Sequence, residues 1–434
     1  GDQIMKQMFH SGKALQVSGG ILAVIGIIPG MPHIAFLLLS AGCFGGAYFI
    51  KQQKDKIDKK TIVEKKEEEN KKILTQQAQE QTPQELGWDD VQPVDILGLE
   101  VGYRLIPLVD KTQGGLLLGR IKGVRKKLSK DLGFLMPTIH IRDNLELSAN
   151  AYRITLKGVP LGSAEVYPDR EMAINGGQVF GQIQGIAGVD PAFGLQAVWI
   201  LPEQKDQAIA MGYTVVDAST VVATHLNYFM QQHACELLGY EEVQKLLDHL
   251  SKTQAKLVES IVPQPISLSI LLKILRGLLK ENIPIRDIRT ILEAISNAAS
   301  HGTSAEYLIG EARVALSRLI VQTVFGQEEN LNVVTLQPKL EQLLLQSVYT
   351  AKNAGQQDLD PVMEPTLAEK IQRSVQDAAT KQEALGKPPV LLVSHVLRSM
   401  LARFLRFNLP NLNVLSYNEI PEGKQITVVS TIGA

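Results

Sequence analysis

The sequence predicts an α+β multidomain protein that begins with a transmembrane helical hairpin. Two uncharged apolar stretches lie near the start, and a charged stretch with few apolar residues follows them. From about residue 96, strand-type and helix-type patterns alternate, except for one long stretch with helical periodicity only. In chain order these patterns predict the hairpin, a charged linker, an α/β domain with a small β insertion, an all-helical domain and a C-terminal α/β domain.

The overall composition narrows the class of protein. The 434 residues include 44 Lys and Arg and 45 Asp and Glu, a net charge of -1, so no global field attracts nucleic acid. The two cysteines, Cys43 and Cys235, have neither the CxxC spacing nor the histidine spacing of a zinc site. They fit a reducing compartment better than a disulfide scaffold. We predict no metal site and no nucleic-acid partner.

Residues 1–50 are predicted to form the transmembrane hairpin. The limbs 14–28 and 34–50 carry no charged residue and are joined by Pro-Gly-Met-Pro. Each limb is short for a bilayer, which needs about 20 residues, so a buried hairpin of a soluble core is the alternative. Lysines flank both outer ends: Lys6, Lys13, Lys51, Lys54 and Lys56. They favour the membrane interpretation, with both ends on the cytoplasmic side.

Residues 51–95 are predicted to be a linker. Up to residue 86 the segment mixes Lys and Glu with very few apolar residues and cannot bury a core. Its end differs, because one of only two tryptophans, Trp88, stands there beside Asp89, Asp90 and Val91. A lone tryptophan after a charged linker is expected to pack on a protein surface.

The first cytoplasmic α/β subdomain is predicted over 96–157 and 218–239, with an inserted second subdomain over 158–217. Strands are predicted over 101–110, 138–143, 151–159, 163–168, 196–201 and 213–217. A helix over 114–134 should end at Gly133. Asp217 or Ser219 should cap a second helix, whose end is marked by Gly239.

Two more subdomains are predicted after Gly239. Apolar residues at helical spacing make 240–325 an all-helical third subdomain, with Thr303 and Glu306 as a capping box. Residues 326–434 return to an α/β pattern and form the fourth. Its strands are predicted over 331–336, 389–394, 413–417 and 425–432.

No motif predicts an enzyme. The stretch Gly114–Gly119 lies between a strand and a helix, where a phosphate loop would lie. It lacks the Lys-Ser/Thr pair of one nucleotide-binding class and the GxGxxG spacing of the other, and a tight turn explains it. The sequence also lacks GxSxG and HExxH. We predict no catalytic residue and no cofactor.

Several long motifs resemble a known family. They read GIIPGMPHIAFLL, EVGYRLIPLVD, PTIHIRDN, VDPAFGLQAVWI, GYTVVDASTVVATHLN, IPIRDIRTILEAI and PPVLLVSHVLRSMLARFLR. In this order they resemble the C-terminal part, with the last transmembrane hairpin, of the FHIPEP family of type III export-gate proteins. TVVDASTVVATHLN and NEIPEGKQITVVSTIGA resemble the flagellar branch.

The resemblance implies a component of the flagellar type III export gate in the bacterial inner membrane, with its C-terminal domain in the cytoplasm. That domain would form a nine-membered ring that docks export chaperones with their late substrates and contacts other components of the export apparatus. An export gate of a virulence injectisome is the alternative. A nucleotide-using α/β enzyme is the other possibility, and it would need the phosphate loop that the sequence lacks.

The resemblance also implies two sets of binding residues. Asp190, Phe193 and Thr224 would bind chaperone and substrate, whereas the linker end would contact a neighbouring subunit through Trp88, Asp90 and Val91. The residues alone leave alternatives open. Asp190 before Pro191 suits an ordinary turn, Phe193 could fill the core, and Thr224 could be a plain helix-face hydroxyl.

Overall fold

A computed structural model describes residues 12–25, 27, 34–35, 38–49, 52, 94–110, 115–353 and 364–433. It divides the chain into two compact units, residues 1–93 and 94–434.

Among the described residues of the first unit, the longest helical stretches are α1 (Gly12–Ile25) and residues 38–49. The Ser40 hydroxyl donates a hydrogen bond of 2.8 Å to the carbonyl oxygen of Gly19. A Cβ at Gly19 would lie 3.2 Å from the Cβ of Cys43, so the small residue allows the two stretches to approach closely. No helix among the described residues is long and apolar enough to cross a bilayer, and the predicted transmembrane hairpin is therefore not confirmed.

The second unit begins with a four-stranded sheet. Its strands are β1 (Leu97–Val101), β2 (Ile139–Asp143), β3 (Ala151–Leu156) and β4 (Val159–Glu165), in the order β2-β1-β3-β4. β1 pairs with β2 in parallel, and the other two pairings are antiparallel. The predicted strand over 101–110 is wrong. After Val101 the chain forms a 3₁₀ turn (Tyr103–Leu105) and α2 (Ile106–Val109), because Pro107 suits the first turn of a helix and offers no N–H to a sheet.

Two long helices cover this sheet. They are α3 (Leu116–Leu132) and α5 (Ala218–Gln232), which pack against each other, and the short α6 (Ala234–Leu237) follows. The predicted end of α3 at Gly133 is confirmed: its φ of 92° lies in the left-handed region that glycine tolerates. Of the two predicted caps of α5, Asp217 is correct, since its carboxylate accepts a hydrogen bond of 2.8 Å from the Thr220 N–H.

A second, smaller sheet is inserted between β4 and α5. Its antiparallel strands are β6 (Ile186–Val189), β7 (Gln196–Ile200), β5 (Glu171–Ile174) and β8 (Thr214–Asp217), in this spatial order, with α4 (Lys205–Ala210) beside them. The strand β4, which the sequence assigned to the insertion, is hydrogen-bonded to β3 in the first sheet. The predicted domain boundaries otherwise stay a prediction.

Five helices form the next region. They are α7 (Tyr240–Glu259), α8 (Leu268–Lys280), α9 (Ile288–Ala298), α10 (Ala305–Ala315) and α11 (Ser317–Phe325). The predicted capping box of Thr303 and Glu306 is wrong. Ser304 caps α10 instead, because its extended backbone lets its hydroxyl accept from the Tyr307 N–H at 3.3 Å.

The last region is a fully parallel sheet with helices. Its strands are β9 (Asn330–Leu336), β10 (Val390–Val393), β11 (Asn413–Ser416) and β12 (Gln425–Ile432), in the order β11-β10-β9-β12. The helices are α12 (Pro338–Asn353), α13 (Pro365–Ala384) and α14 (His395–Arg406). The four predicted strands of this region are confirmed within one residue at each end.

Candidate functional site

The turn between β6 and β7 holds two of the three predicted binding residues. The Asp190 N–H donates to the Leu195 carbonyl, and the Gly194 N–H donates to the Asp190 carbonyl, each at 2.8 Å. The Asp190 carboxylate also accepts from the Phe193 N–H at 3.0 Å. Gly194 has a φ of 69°, which favours glycine. Asp190 is only 2% exposed and braces the turn from inside, so the backbone of Phe193 is held in one conformation.

Phe193 points away from the core. It is 66% exposed, whereas Ala192 beside it is buried, so the alternative that Phe193 fills the core is wrong. Val189 and Leu195, which flank the turn, are exposed as well. We call Val189, Phe193 and Leu195 the apolar tip. Three neighbouring exposed apolar side chains on a braced turn have the composition of a contact surface for another protein.

Thr224 lies half-buried on α5, next to the buried His225. His225 is 4% exposed, and its Nδ1 is hydrogen-bonded to the Tyr152 hydroxyl of β3 at 2.8 Å. Burial lowers the pKa of His225, and the nearby Asp190 carboxylate opposes that shift. Burial also raises the pKa of Tyr152, with a smaller contribution from Asp190. The hydrogen bond between Tyr152 and His225 therefore joins β3 to α5 beside Thr224.

A glycine sets how closely α5 approaches the first sheet. A Cβ at Gly162 of β4 would lie 2.6 Å from the Phe229 ring of α5 and 3.4 Å from the His225 ring. The Phe229 and His225 rings are themselves 4.7 Å apart. A larger residue at Gly162 would therefore require the Phe229 ring to shift.

Sequence reasoning missed Tyr152, His225 and Gly162. Tyr152 lies 73 positions before His225 in the chain. No local signal connects residues so distant. Among the residues that the structure describes, no group of three or more His, Cys, Asp or Glu could hold a metal ion.

Trp88, Asp90 and Val91 lie outside the described residues. Their predicted contact with a neighbouring subunit stays a prediction.

Comparison with known proteins identifies the family. The model of the FHIPEP family matches residues 1–425, nearly the whole chain. The chain belongs to the FHIPEP family. The resemblance carried by the long motifs is therefore confirmed.

One relative within the FHIPEP family is the flagellar biosynthesis protein FlhA of Escherichia coli strain K12. It is 45% identical over 435 residues, which cover 100% of this chain and 60% of that protein. The chain thus spans about three-fifths of the length of this FlhA and of two other flagellar FlhA proteins that it resembles.

Solved structures of other proteins share the fold. CdsV of Chlamydia pneumoniae has a TM-score of 0.67 at 25% identity, covering 80% of this chain and 99% of that chain. CdsV solved in complex with CdsO gives a TM-score of 0.69 at 24% identity, covering 80% and 100%. The nonameric cytosolic domain of EscV, from a type III secretion system, gives 0.60 at 19%, covering 79% and 98%. The predicted mixed α/β multidomain architecture is confirmed.

Proposed function

We propose that this protein is a component of the flagellar type III export gate and docks chaperone–substrate complexes at the apolar tip. The exposed Phe193 on its braced turn carries the proposal, because a pre-ordered aromatic side chain lowers the cost of binding. Asp190 holds the turn, and Thr224 would offer a hydroxyl from α5. The site is non-enzymatic.

The identity values favour the flagellar branch over the injectisome branch. The chain is 45% identical to a flagellar FlhA but 19% identical to EscV, which comes from a type III secretion system. The name of that FlhA refers to flagellar biosynthesis, in keeping with an export gate that serves flagellar assembly.

The first unit supports a membrane anchor. Its described helical stretches expose large apolar side chains: Val17, Ile21, Val24, Leu38, Leu39, Tyr48 and Phe49. Water would disfavour such a surface, whereas lipid would accept it. We propose that the hairpin lies in the bacterial inner membrane and that residues 94–434 lie in the cytoplasm.

Self-assembly is the other part of the proposal. The EscV cytosolic domain is nonameric, and CdsV was solved with CdsO, so a nine-membered ring that contacts other export components suits the shared fold. The linker end would join adjacent subunits through Trp88, Asp90 and Val91.

The test is capture of a flagellar export chaperone loaded with its substrate by the full chain in detergent. Phe193→Ala should lose capture, and Tyr349→Ala, which truncates an exposed aromatic side chain on α12, should keep it. Equal capture by both variants would contradict the docking role of the apolar tip.

A further inference from the structure

We propose that a cavity between the helical region and the last sheet binds an acidic peptide segment that also presents an apolar side chain. The cavity has a volume of about 660 Å³ and is lined by α8, α10, α11, α14 and β11. We call it the interdomain cavity. Its size suits a short stretch of peptide, since ligand sites usually enclose about 300–1,000 Å³. It shares no lining residue with the apolar tip.

Buried arginines form one wall of the interdomain cavity. The side chains of Arg313 and Arg398 are each only 3% exposed. Arg313 donates to Glu419 at 2.6 Å, and both arginines donate to the same Glu281 oxygen at 2.5 Å. These bonds join the helical region to the last sheet and hold the guanidinium groups in place. The wall is therefore a rigid, charged surface, as a specific site requires.

The charges of the interdomain cavity do not balance. Five cationic side chains line it: Lys280, Arg313, Arg398, Arg403 and Arg406. The acidic lining residues are Glu281 and Glu306, and Glu419 lies behind Arg313. Among these described side chains, the cations outnumber the three carboxylates by two. Such an excess in a partly closed cleft attracts an anionic ligand.

Arg406 is the cation best placed to meet that ligand. It is half-buried at the C-terminal end of α14, and its charge reaches Glu281. It forms no hydrogen bond or close ion pair with any residue that the structure describes. A guanidinium with free donors pairs readily with a carboxylate, often through two parallel hydrogen bonds.

The apolar part of the lining favours a peptide over a small anion. Phe407 is 92% exposed, and Val324, Ala402 and Leu412 line the same cavity. A small polycarboxylate would bind the cationic side chains only and would leave the apolar part of the lining exposed to water. A peptide with acidic and apolar residues covers both, and an aromatic beside an arginine is the usual composition of a binding hot spot.

The test uses a fluorescein-labelled peptide of alternating glutamate and leucine residues, with fluorescence anisotropy on the full chain in detergent. Arg406→Glu should weaken binding about tenfold or more, since it replaces an attraction by a repulsion in a half-buried site. Lys339→Glu is the control, because it makes the same charge change on an exposed position of α12 outside the cavity. The control should bind the peptide normally.

A second variant keeps the test independent of folding. Phe407→Ser alters a side chain in water, so its thermal unfolding should match that of the parent while its peptide binding weakens severalfold. Unchanged binding in either cavity variant would overturn the proposal. So would equal binding of a glutamate–serine peptide or of citrate, because that result would indicate a simple anion site. Phe193→Ala should leave peptide binding unchanged, which separates this outcome from that of the chaperone experiment.

Discussion

Truncation of Phe193 should separate binding from folding. Because Phe193 is 66% exposed, only about a third of its side chain is buried against the rest of the protein. Phe193→Ala therefore removes only that buried third from the folded state. Taking an aromatic side chain as roughly 200 Å², the folded state loses about 70 Å² of buried apolar surface, or about 1.7 kcal/mol at 25 cal/mol per Å². A fully buried phenylalanine would cost about 3–5 kcal/mol.

The binding cost follows from the same area. If the partner covers the exposed two-thirds of the ring, about 130 Å² is buried on docking, which corresponds to about 3 kcal/mol. Affinity for a loaded chaperone should then fall by about a hundredfold, as expected for a hot-spot residue. Titration calorimetry measures the affinity, and chemical denaturation of the same sample measures the free energy of unfolding. A loss of stability above about 3 kcal/mol with normal affinity would refute the reasoning.

Three further outcomes are expected. Burial lowers the pKa of His225, so as the pH falls the unfolded chain binds a proton at this residue before the folded chain does. The contribution of neutral His225 to the free energy of unfolding is therefore fully present above about pH 6.5 and decreases as the pH falls toward the folded-state pKa. His225→Gln should flatten that part of a stability-versus-pH curve, and an unchanged slope would contradict the assignment. Arg313→Met leaves the fully buried Glu419 carboxylate without its main partner and should lower the free energy of unfolding in denaturant by about 3–5 kcal/mol. Adding Glu419→Leu should recover most of this loss, and no recovery would contradict the pairing of the two charges. Trp88→Ala should weaken ring assembly in analytical ultracentrifugation and leave thermal unfolding nearly unchanged, and the reverse result would place Trp88 in the core of its own unit.

Local patterns were sufficient for most elements of the second unit. Apolar residues at helical spacing predicted the all-helical region that contains α8 and α9, and strand patterns bounded by turn residues predicted the strands of the last sheet. Two local predictions were wrong where neighbouring residues offered competing signals. Pro107 turned an expected strand into a helical turn, and Ser304 displaced Thr303 as a cap because the cap depends on one backbone conformation.

The sequence by itself determined the order of the elements, the family and the turn that carries Phe193, because these depend on residues close together in the chain. Tertiary structure alone decided that Phe193 lies in water, since an apolar residue before a strand has the same pattern in a core and on a surface. It also decided the pairing of Tyr152 with His225 and of Arg313 with Glu419, which are 73 and 106 positions apart. Such partners come together only when whole helices and strands pack, and the residue pattern within one element does not identify the residue that it will contact in another.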